Sequence, residues 1–313
     1  MIYQEGKVVE NTILIDAGLQ GVKGVSGVYY MESEGTTCII DSGDPKGAKR
    51  TIKTLRDMGK PLPDYILLTH AHWDHSQGVP NFRKKKSSLH VYASDKAIDL
   101  LDDQSFNDVF KKVPTKNIHD VNPLKDGETL DFGAMRIRVV DIPGHTYDHV
   151  GYYEEKSKTM FVGDAIGIRV GDKAYIPPCM PPFWDEKAYF KTLDKLKTLD
   201  IEILCLAHFG HVPRIEISDF LDEMRNFYEI SKKTMLKVIE KPELEPLLPK
   251  LIMQELHLEI PRMEVYDKKI PVILGMVNII RRIRGKDPIH VGHLLTPTFV
   301  NHAFDGFKIS ISQ

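Results

Sequence analysis

The chain has 313 residues, of which 42% are hydrophobic and 27% charged, and its formal net charge is −2. This composition is typical of a globular protein with one large domain and a smaller addition. A net charge near zero gives no general attraction to nucleic acid. The sequence contains no run of about 18 apolar residues, so no transmembrane helix is predicted. The N-terminus lacks the pattern of a signal peptide. We therefore expect neither a nucleic-acid partner nor a membrane partner.

The three cysteines, Cys38, Cys179 and Cys205, lie far apart and form no CxxC pair. This spacing argues against a disulfide framework and against a zinc ribbon. We expect them to be buried as small apolar side chains in a reducing cytoplasm.

Short strands are predicted first, in NTILIDAG, GVSGVYYMES and TTCIIDSG. A helix follows in AKRTIKTLRDMGK, with Ile52, Leu55 and Met58 on one face and its end at Gly59. DYILLTH and SLHVYAS read as strands, and DKAIDLLDD reads as a helical stretch.

The same order returns in the second half of the chain. GETLDFG and MRIRVVDIPG read as strands, and HVGYYEEKSKTMFVGDA reads as a hairpin. A helix in DEKAYFKTLDKLKTLD and a buried strand in IEILCLAHFG follow. Strands followed by a helix in each half predict an α/β fold, with two sheets packed together and helices outside.

The composition changes after about residue 214. Three helices are predicted, in the stretches that begin at EISDFLDEM, ELEPLLPK and KKIPVILG, and FKISISQ reads as a short final strand. We therefore divide the chain into a catalytic domain, 1–214, and a helical extension, 215–313.

The run THAHWDH places His70, His72, Asp74 and His75 within six residues at the end of an apolar strand. Residues 70 and 72 of an extended segment point to the same side, and a turn can direct 74 and 75 to the same point. Imidazole and carboxylate ligands together suit zinc, iron or manganese. This run predicts a metal site.

THAHWDH resembles a motif of the metallo-β-lactamase superfamily. Four more stretches resemble motifs of this family and occur in the family's order: CIIDSG, DIPGHTYDH, MFVGDA and LCLAHFG. The resemblance covers about residues 10–212. The resemblance implies a four-layer αββα sandwich. It also implies that His70, His72 and His145 hold one metal, that Asp74, His75 and His208 hold a second, and that Asp164 bridges them. Two divalent ions, zinc first and iron or manganese otherwise, would share a nucleophilic hydroxide.

Two carboxylates are given further roles. Asp74 would orient the hydroxide and receive its proton, which makes it the candidate catalytic residue. In the family, an Asp at the position of Asp41 contacts the metal-site histidines, which fixes their tautomer. A simple turn cap in DSGD is the alternative for Asp41.

Other residues are weaker candidates. His149 and His211 fit the family positions less well than His145 and His208, and His290 and His293 are not expected to bind metal.

Several aromatic and basic residues have two possible roles. Tyr147 and Tyr175 either polarise a substrate oxygen or pack against neighbouring side chains. Trp73 is expected at the pocket wall, and Phe183 and Trp184 either line the substrate pocket or pack on the surface. The basic residues Arg281, Arg282, Arg284 and Lys286 either end a helix favourably or bind an anionic substrate group.

Differences within the family narrow the function. Asp164 stands where β-lactamases commonly have Cys, and His72 stands where flavodiiron reductases have Glu. The segment after Asp164 lacks the basic glutathione-binding stretch of glyoxalase II. No RNA-binding addition like that of the nuclease branches is visible. A helical tail resembles a subgroup of thioesterases in which helices cap the active site.

We therefore predict a binuclear hydrolase of a small ester, thioester or lactone. A metal-dependent nuclease or phosphodiesterase and a mononuclear iron sulfur dioxygenase remain as alternatives. The expected partner is a small-molecule substrate, and a homodimer through the apolar face of 270–283 is a further hypothesis.

Overall fold

Two large β-sheets form the centre of the described structure, and helices cover their outer faces. The computed structural model describes residues 1–110, 113–170, 174–260 and 263–312. Within these ranges the first sheet has seven strands in chain order: β1 (Gly6–Val9), β2 (Thr12–Asp16), β3 (Gly27–Ser33), β4 (Thr36–Ile40), β5 (Tyr65–Leu67), β6 (His90–Ser94) and β7 (Asn122–Leu124). Strands β1 to β4 pair antiparallel, and β4 to β7 pair parallel.

The later strands build the second sheet and a small hairpin. They are β8 (Thr129–Phe132), β9 (Met135–Asp141), β10 (Val150–Glu154), β11 (Thr159–Phe161), β12 (Ile168–Val170), β13 (Ala174–Ile176), β14 (Ile203–Cys205) and β15 (His211–Pro213). The second sheet has the order β15-β14-β11-β10-β9-β8, and β12 pairs with β13. In the second sheet β11 and β14 run parallel, and the other neighbours run antiparallel.

The described helices are α1 (Pro45–Asp57), α2 (Trp73–Ser76), α3 (Val79–Arg83), α4 (Ile98–Asp102), α5 (Glu186–Thr198), α6 (Arg214–Glu240), α7 (Leu248–Glu255), α8 (Lys269–Ile283) and α9 (Gly292–Ile311). Short 3₁₀ segments cover Asp95–Ala97, Gln104–Phe110 and Pro242–Leu247.

Strand β4 shows why the sheets stack as predicted. Its side chains alternate between faces, so Cys38 and Ile40 pack against the second sheet, while Ile39 faces the cluster that contains Leu55 of α1. Both faces are covered, and the last four residues of TTCII are therefore buried. On the far side, the outer face of the second sheet packs on α5, α6, α7 and α9. The four layers αββα agree with the expectation.

The first helix differs in detail from the prediction. Helix α1 ends at Asp57, and its buried residues include Ala48, Thr51 and Leu55. Met58 follows the helix and is 50% exposed, so the predicted face was wrong at that residue. The apolar spacing indicated the helix correctly. Which of its side chains are covered depends on the side of the helix that faces the sheet.

The tail also differs: the predicted final strand FKISISQ is wrong. Residues up to Ile311 belong to α9, and Gln313 lies outside the described residues. Val300, Ala303, Phe304 and Phe307 are buried at helical spacing in the cluster under the second sheet, and this packing outweighs the local alternation of Ile and Ser. A Cβ on Gly306 would lie 2.1 Å from the Cys179 carbonyl oxygen, so only glycine lets α9 approach that loop.

The division at residues 214 and 215 coincides with the start of α6. The tail helices nevertheless share one apolar cluster with the second sheet, so their packing continues that of the first 214 residues. None of the described helices combines the length and apolar character needed to cross a membrane.

Candidate metal centre

The predicted site residues lie where strands of both sheets end. His70 and His72 follow β5, and α2 starts at once, so that Asp74 and His75 fall in its single turn. From the second sheet, His145 lies between β9 and β10, Asp164 follows β11, and His208 follows β14. All seven side chains are buried, and the structure brings them together.

The first group contains three imidazoles. Nε2 of His70 lies 3.0 Å from Nδ1 of His72, which in turn lies 2.9 Å from Nε2 of His145. Nδ1 of His145 faces the Pro178 carbonyl oxygen at 2.7 Å. Nδ1 must therefore carry the hydrogen, and Nε2 of His145 presents a lone pair to the other two rings.

The second group contains Asp74, His75 and His208. Nδ1 of His208 faces the carbonyl oxygen of Val25 at 2.8 Å, and Nδ1 of His75 faces Oδ2 of Asp41 at 2.9 Å. Both rings therefore donate outward through Nδ1, and in the neutral form each ring turns an Nε2 lone pair inward. The structure places Asp41 against a site histidine, as the family resemblance implied.

Asp164 lies between the two groups. Its Oδ2 is 3.1 Å from Nε2 of His208, 3.4 Å from Nε2 of His75 and 3.7 Å from Nε2 of His145. One carboxylate oxygen is thus within reach of both groups, which is the arrangement that a bridging ligand requires.

The donor set fits two cations. A carboxylate oxygen and imidazole lone pairs converge, and acceptors facing one another repel unless a proton or a cation lies between them. Nε2 of His75 and Oδ1 of Asp164 are buried and have no hydrogen-bond partner among the described residues. Mixed nitrogen and oxygen ligands of this kind suit zinc, iron or manganese.

The charge state of the first group also suits a metal. Burial, reinforced by the neighbouring imidazoles, lowers the pKa of His70 and His72 well below the ordinary histidine value. Burial lowers the pKa of His145 to about 4. These rings are neutral near pH 7, and neutral imidazole is the form that binds metal.

The second group is more polar. Burial opposes protonation of His75, but nearby carboxylates, Asp164 first, outweigh it and raise its pKa well above the ordinary value. Burial would raise the pKa of Asp164, yet His208 and His75 hold it well below its usual range. Asp164 is therefore ionised, and a proton on His75 would compete with a cation.

Several supporting residues had no sequence signal of their own. Oδ2 of Asp148 accepts a hydrogen bond from the backbone N–H of Ala71 at 2.9 Å, between His70 and His72. Oδ1 of Asn107 accepts from the N–H of Trp73 at 3.2 Å. These contacts hold the backbone of the ligand-bearing turn from 77 and 34 residues away.

The weaker histidine candidates lie outside both groups of candidate ligands. His149 accepts a hydrogen bond from the backbone N–H of Asp164 at 3.1 Å, and its ring stacks on that of His70. It therefore helps to position two of the candidate ligands. A Cβ on Gly163 would lie 2.7 Å from the His149 ring, and this close approach requires glycine. His211 lies in β15, and the rings of His290 and His293 contact each other, 3.8 Å apart. None of these three contributes to a metal-ligand group among the described residues.

An apolar cavity of about 300 Å³ opens on the candidate metal centre. His72, Asp74, His145 and Asp164 form its floor. Its described walls are mostly apolar and come from several parts of the chain: Leu19, Gln20, Trp73, Phe110, Val113, Ile168, Met180, Leu295, Thr298, Phe299 and His302. No lysine or arginine occurs among these described residues.

Helix α9 supplies one wall of this cavity. Leu295, Thr298, Phe299 and His302 recur at intervals of three and four residues, which places them on one helix face. The extension therefore reaches the site that the first 214 residues build.

The aromatic and basic candidates are placed differently. Trp73 lines the cavity wall, as expected. Phe183 and Trp184 line a separate hollow with the 46%-exposed Tyr147, and Tyr175 is buried against Phe227. The basic residues at the end of α8, Arg281, Arg282, Arg284 and Lys286, are not among the described residues of the cavity wall.

Curated relatives match part of the chain. A hydroxyacylglutathione hydrolase of Serratia proteamaculans is 30% identical over 139 residues, which cover 44% of this chain and 46% of that protein. An atrochrysone carboxyl ACP thioesterase of Aspergillus fumigatus is 32% identical over 130 residues, 41% of this chain and 26% of that protein. The chain thus spans less than half the length of each of these two relatives.

Solved structures share the fold. An archaeal metallo-β-lactamase superfamily protein from Sulfolobus tokodaii superposes with a TM-score of 0.56 at 24% identity, over 69% of this chain and 86% of that one. A metallo-β-lactamase family protein from Thermus thermophilus gives a TM-score of 0.59 at 19% identity, over 80% and 92%. The family model of the metallo-β-lactamase superfamily matches residues 9–208, a range that contains all seven candidate ligands. The chain belongs to the metallo-β-lactamase superfamily.

Proposed function

We propose that this chain is a binuclear metal-dependent hydrolase that cleaves a small thioester, ester or lactone with an apolar acyl group. One observation carries the proposal: members of two convergent groups of His and Asp side chains, His72, Asp74, His145 and Asp164, line an apolar cavity of about 300 Å³. A volume of that size holds a small molecule, and its apolar walls favour an uncharged acyl chain.

The relatives support a thioester in particular, since one is named a hydroxyacylglutathione hydrolase and another a carboxyl ACP thioesterase. Glutathione carries two carboxylates, whereas the described cavity wall is mostly apolar. We therefore favour a neutral thioester over a glutathione thioester. The same apolar wall favours a neutral substrate over a phosphodiester.

His70, His72 and His145 would hold one divalent cation, Asp74, His75 and His208 the other, and Asp164 would contact both. Zinc is our first choice, with iron or manganese next. When bound, such ions acidify water and polarise a substrate carbonyl.

Asp74 has a further task in this proposal. It is 8% exposed, the most of the seven candidate ligands, and it faces the cavity. In our proposal its carboxylate accepts a proton from the attacking water and passes it to the leaving thiolate or alkoxide. Phe299 and Leu295 of α9 would exclude solvent from the site and limit the length of the acyl chain. In this way the extension, 215–313, would cap the site.

A substrate panel tests this function. Protein with its metals restored is assayed against acyl thioesters of increasing chain length on an uncharged thiol, matched esters and lactones, a glutathione thioester and a phosphodiester. We expect the highest kcat/KM for a neutral apolar thioester. Absence of hydrolysis across the panel would overturn the proposal, and preferential phosphodiester cleavage would favour the nuclease alternative.

Metal counting separates the proposal from a mononuclear dioxygenase. We expect two equivalents per chain and activity without oxygen, whereas a dioxygenase needs one iron and consumes oxygen. We also propose a reducing compartment such as the cytoplasm, because Cys38, Cys179 and Cys205 are all unpaired and buried.

A further inference from the structure

Helix α8 presents an apolar face that the described chain does not cover. Its inner side is only half-buried, and Asn278 anchors it through hydrogen bonds with the backbone of Ile289 at 2.9 and 2.8 Å. Seven apolar side chains on the rest of its surface are each at least 36% exposed: Val272, Ile273, Met276, Val277, Ile279, Ile280 and Ile283. A continuous apolar patch on a surface marks an interaction site.

Basic residues stand at both ends of this face. Lys268 and Lys269 precede it, Arg281, Arg282, Arg284 and Lys286 follow it, and the stretch 268–286 contains no Asp or Glu. Asp267, just before the stretch, pairs with Lys46 instead. Within the described ranges, no ion pair joins the six cations to a carboxylate. Six positive charges, for which the described residues offer no ion-pair partner, are thus concentrated here in a chain whose formal net charge is −2.

We propose that α8 docks the protein on the surface of an anionic lipid bilayer. The helix would lie in the interface plane, with the apolar face among the acyl chains and the basic ends on the headgroups. Its 15 residues span about 22 Å at 1.5 Å per residue, less than a bilayer core, so it would lie on the membrane without crossing it. The expectation of no membrane partner rested on net charge and hydropathy alone, which do not show that this face is exposed.

Charge complementarity favours an anionic surface over a second copy of the chain. Two α8 helices paired antiparallel about a two-fold axis would bring Lys268 and Lys269 of one copy against Arg282 and Arg284 of the other, with no carboxylate on either helix. Parallel pairing would set the same cations side by side. A layer of anionic headgroups neutralises both ends at once.

Vesicle sedimentation tests the proposal with metal-loaded, full-length protein. We expect binding to phosphatidylcholine vesicles that contain phosphatidylglycerol, roughly tenfold weaker binding to phosphatidylcholine alone, and loss of binding at high salt. Ile279→Asp combined with Ile283→Asp should weaken binding by at least about tenfold, and so should Arg282→Glu combined with Arg284→Glu. Ile215→Asp is the matched control, because Ile215 is 88% exposed and Ile283 is 80% exposed.

Hydrolysis of a soluble short-chain thioester is measured on every variant. It should not change, because no residue of α8 is among the described residues of the cavity wall. This readout also reports folding and keeps the test separate from the proposed function. If no activity is found for the wild type, circular dichroism takes its place. Failure of the wild type to sediment with anionic vesicles would overturn the proposal, as would unchanged binding by the Ile279/Ile283 variant. A wild-type dimer that the same variant dissociates, without vesicle binding, would also overturn it and would assign the face to a second copy.

Discussion

Oδ2 of Asp41 lies 2.9 Å from Nδ1 of His75, although 34 residues separate them in sequence. Asp41 also accepts hydrogen bonds from Thr69, through the backbone N–H at 2.8 Å and through the hydroxyl. Its backbone has φ 61°, a conformation that Asp and Asn adopt more readily than most residues. One buried carboxylate thus orients a candidate ligand and the start of the ligand-bearing turn.

Asp41→Asn should lower metal affinity about 10- to 100-fold. The amide keeps the size and tolerates the backbone conformation, but it loses the charge that makes His75 a stronger ligand. Competition with a metal-sensitive chelator measures the affinity, and circular dichroism checks the fold. Unchanged affinity would mean that Asp41 serves only as a turn cap.

His208→Ala should reduce the metal content from two equivalents to one. His208 belongs to the group with Asp74 and His75, whereas His70, His72 and His145 remain complete without it. Elemental analysis after equilibrium dialysis gives the count.

His211→Ala is the control for that experiment, because His211 lies three residues later but outside both groups. It should retain two equivalents. Two equivalents bound by the His208→Ala protein would contradict the assignment of the second site.

Leu295→Ala should shift the preferred acyl chain toward longer substrates. Leu295 lines the cavity, so its truncation makes room for extra methylenes, and each one that is newly buried adds about 0.8 kcal/mol, or roughly fourfold in kcat/KM. Kinetics across a series of acyl thioesters measure the shift.

Leu294→Ala provides the comparison on the same helix, since Leu294 is 49% exposed and does not line the cavity. Its chain-length profile should match that of the wild type. A parallel shift in both variants would show that α9 does not set the acyl length directly.

Asp148→Asn should change the pH dependence of stability in metal-free protein. Burial raises the pKa of Asp148 to about 6. The folded chain then binds the proton more tightly than the unfolded chain, so the stability contributed by this group falls as pH rises from about 4 to 6. Asn has no proton to lose, and it still accepts the hydrogen bond from Ala71.

Urea unfolding at pH 4.5 and pH 7 measures this effect in the presence of chelator. Stability of the variant relative to the wild type should rise by about 2 kcal/mol between those values. Asp108→Asn, on an exposed residue, should show no such change. An equal response of the two variants would refute the role assigned to burial at Asp148.

Local sequence was enough to place the start of the site. His70, His72, Asp74 and His75 lie so close together that one strand end and one turn of helix bring them near each other. His145, Asp164 and His208 were found through the order of family motifs, because no local rule links residues so far apart. The structure brings all seven side chains together, and their role as metal ligands stays a prediction.

Contacts between distant segments could not be predicted in the same way. Asp148 and Asn107 each hold a backbone N–H of the ligand-bearing turn, yet an isolated Asp or Asn in a sequence carries no mark of such a partner. Phe183 and Trp184 looked equally suited to line a substrate pocket or to pack elsewhere. The course of the chain decided that they line a separate hollow.

The sequence by itself determined the elements with strong periodicity and the candidate ligands with fixed spacing, because both depend on residues that are neighbours along the chain. Only the tertiary structure decided what lies over the candidate metal centre and what remains exposed. Two apolar helices of the tail illustrate the difference. Helix α9 turns Leu295 and Phe299 toward the cavity, while α8 leaves Ile279 and Ile283 in solvent. Both helices are rich in apolar residues, and which of these are buried depends on the surface that each helix meets.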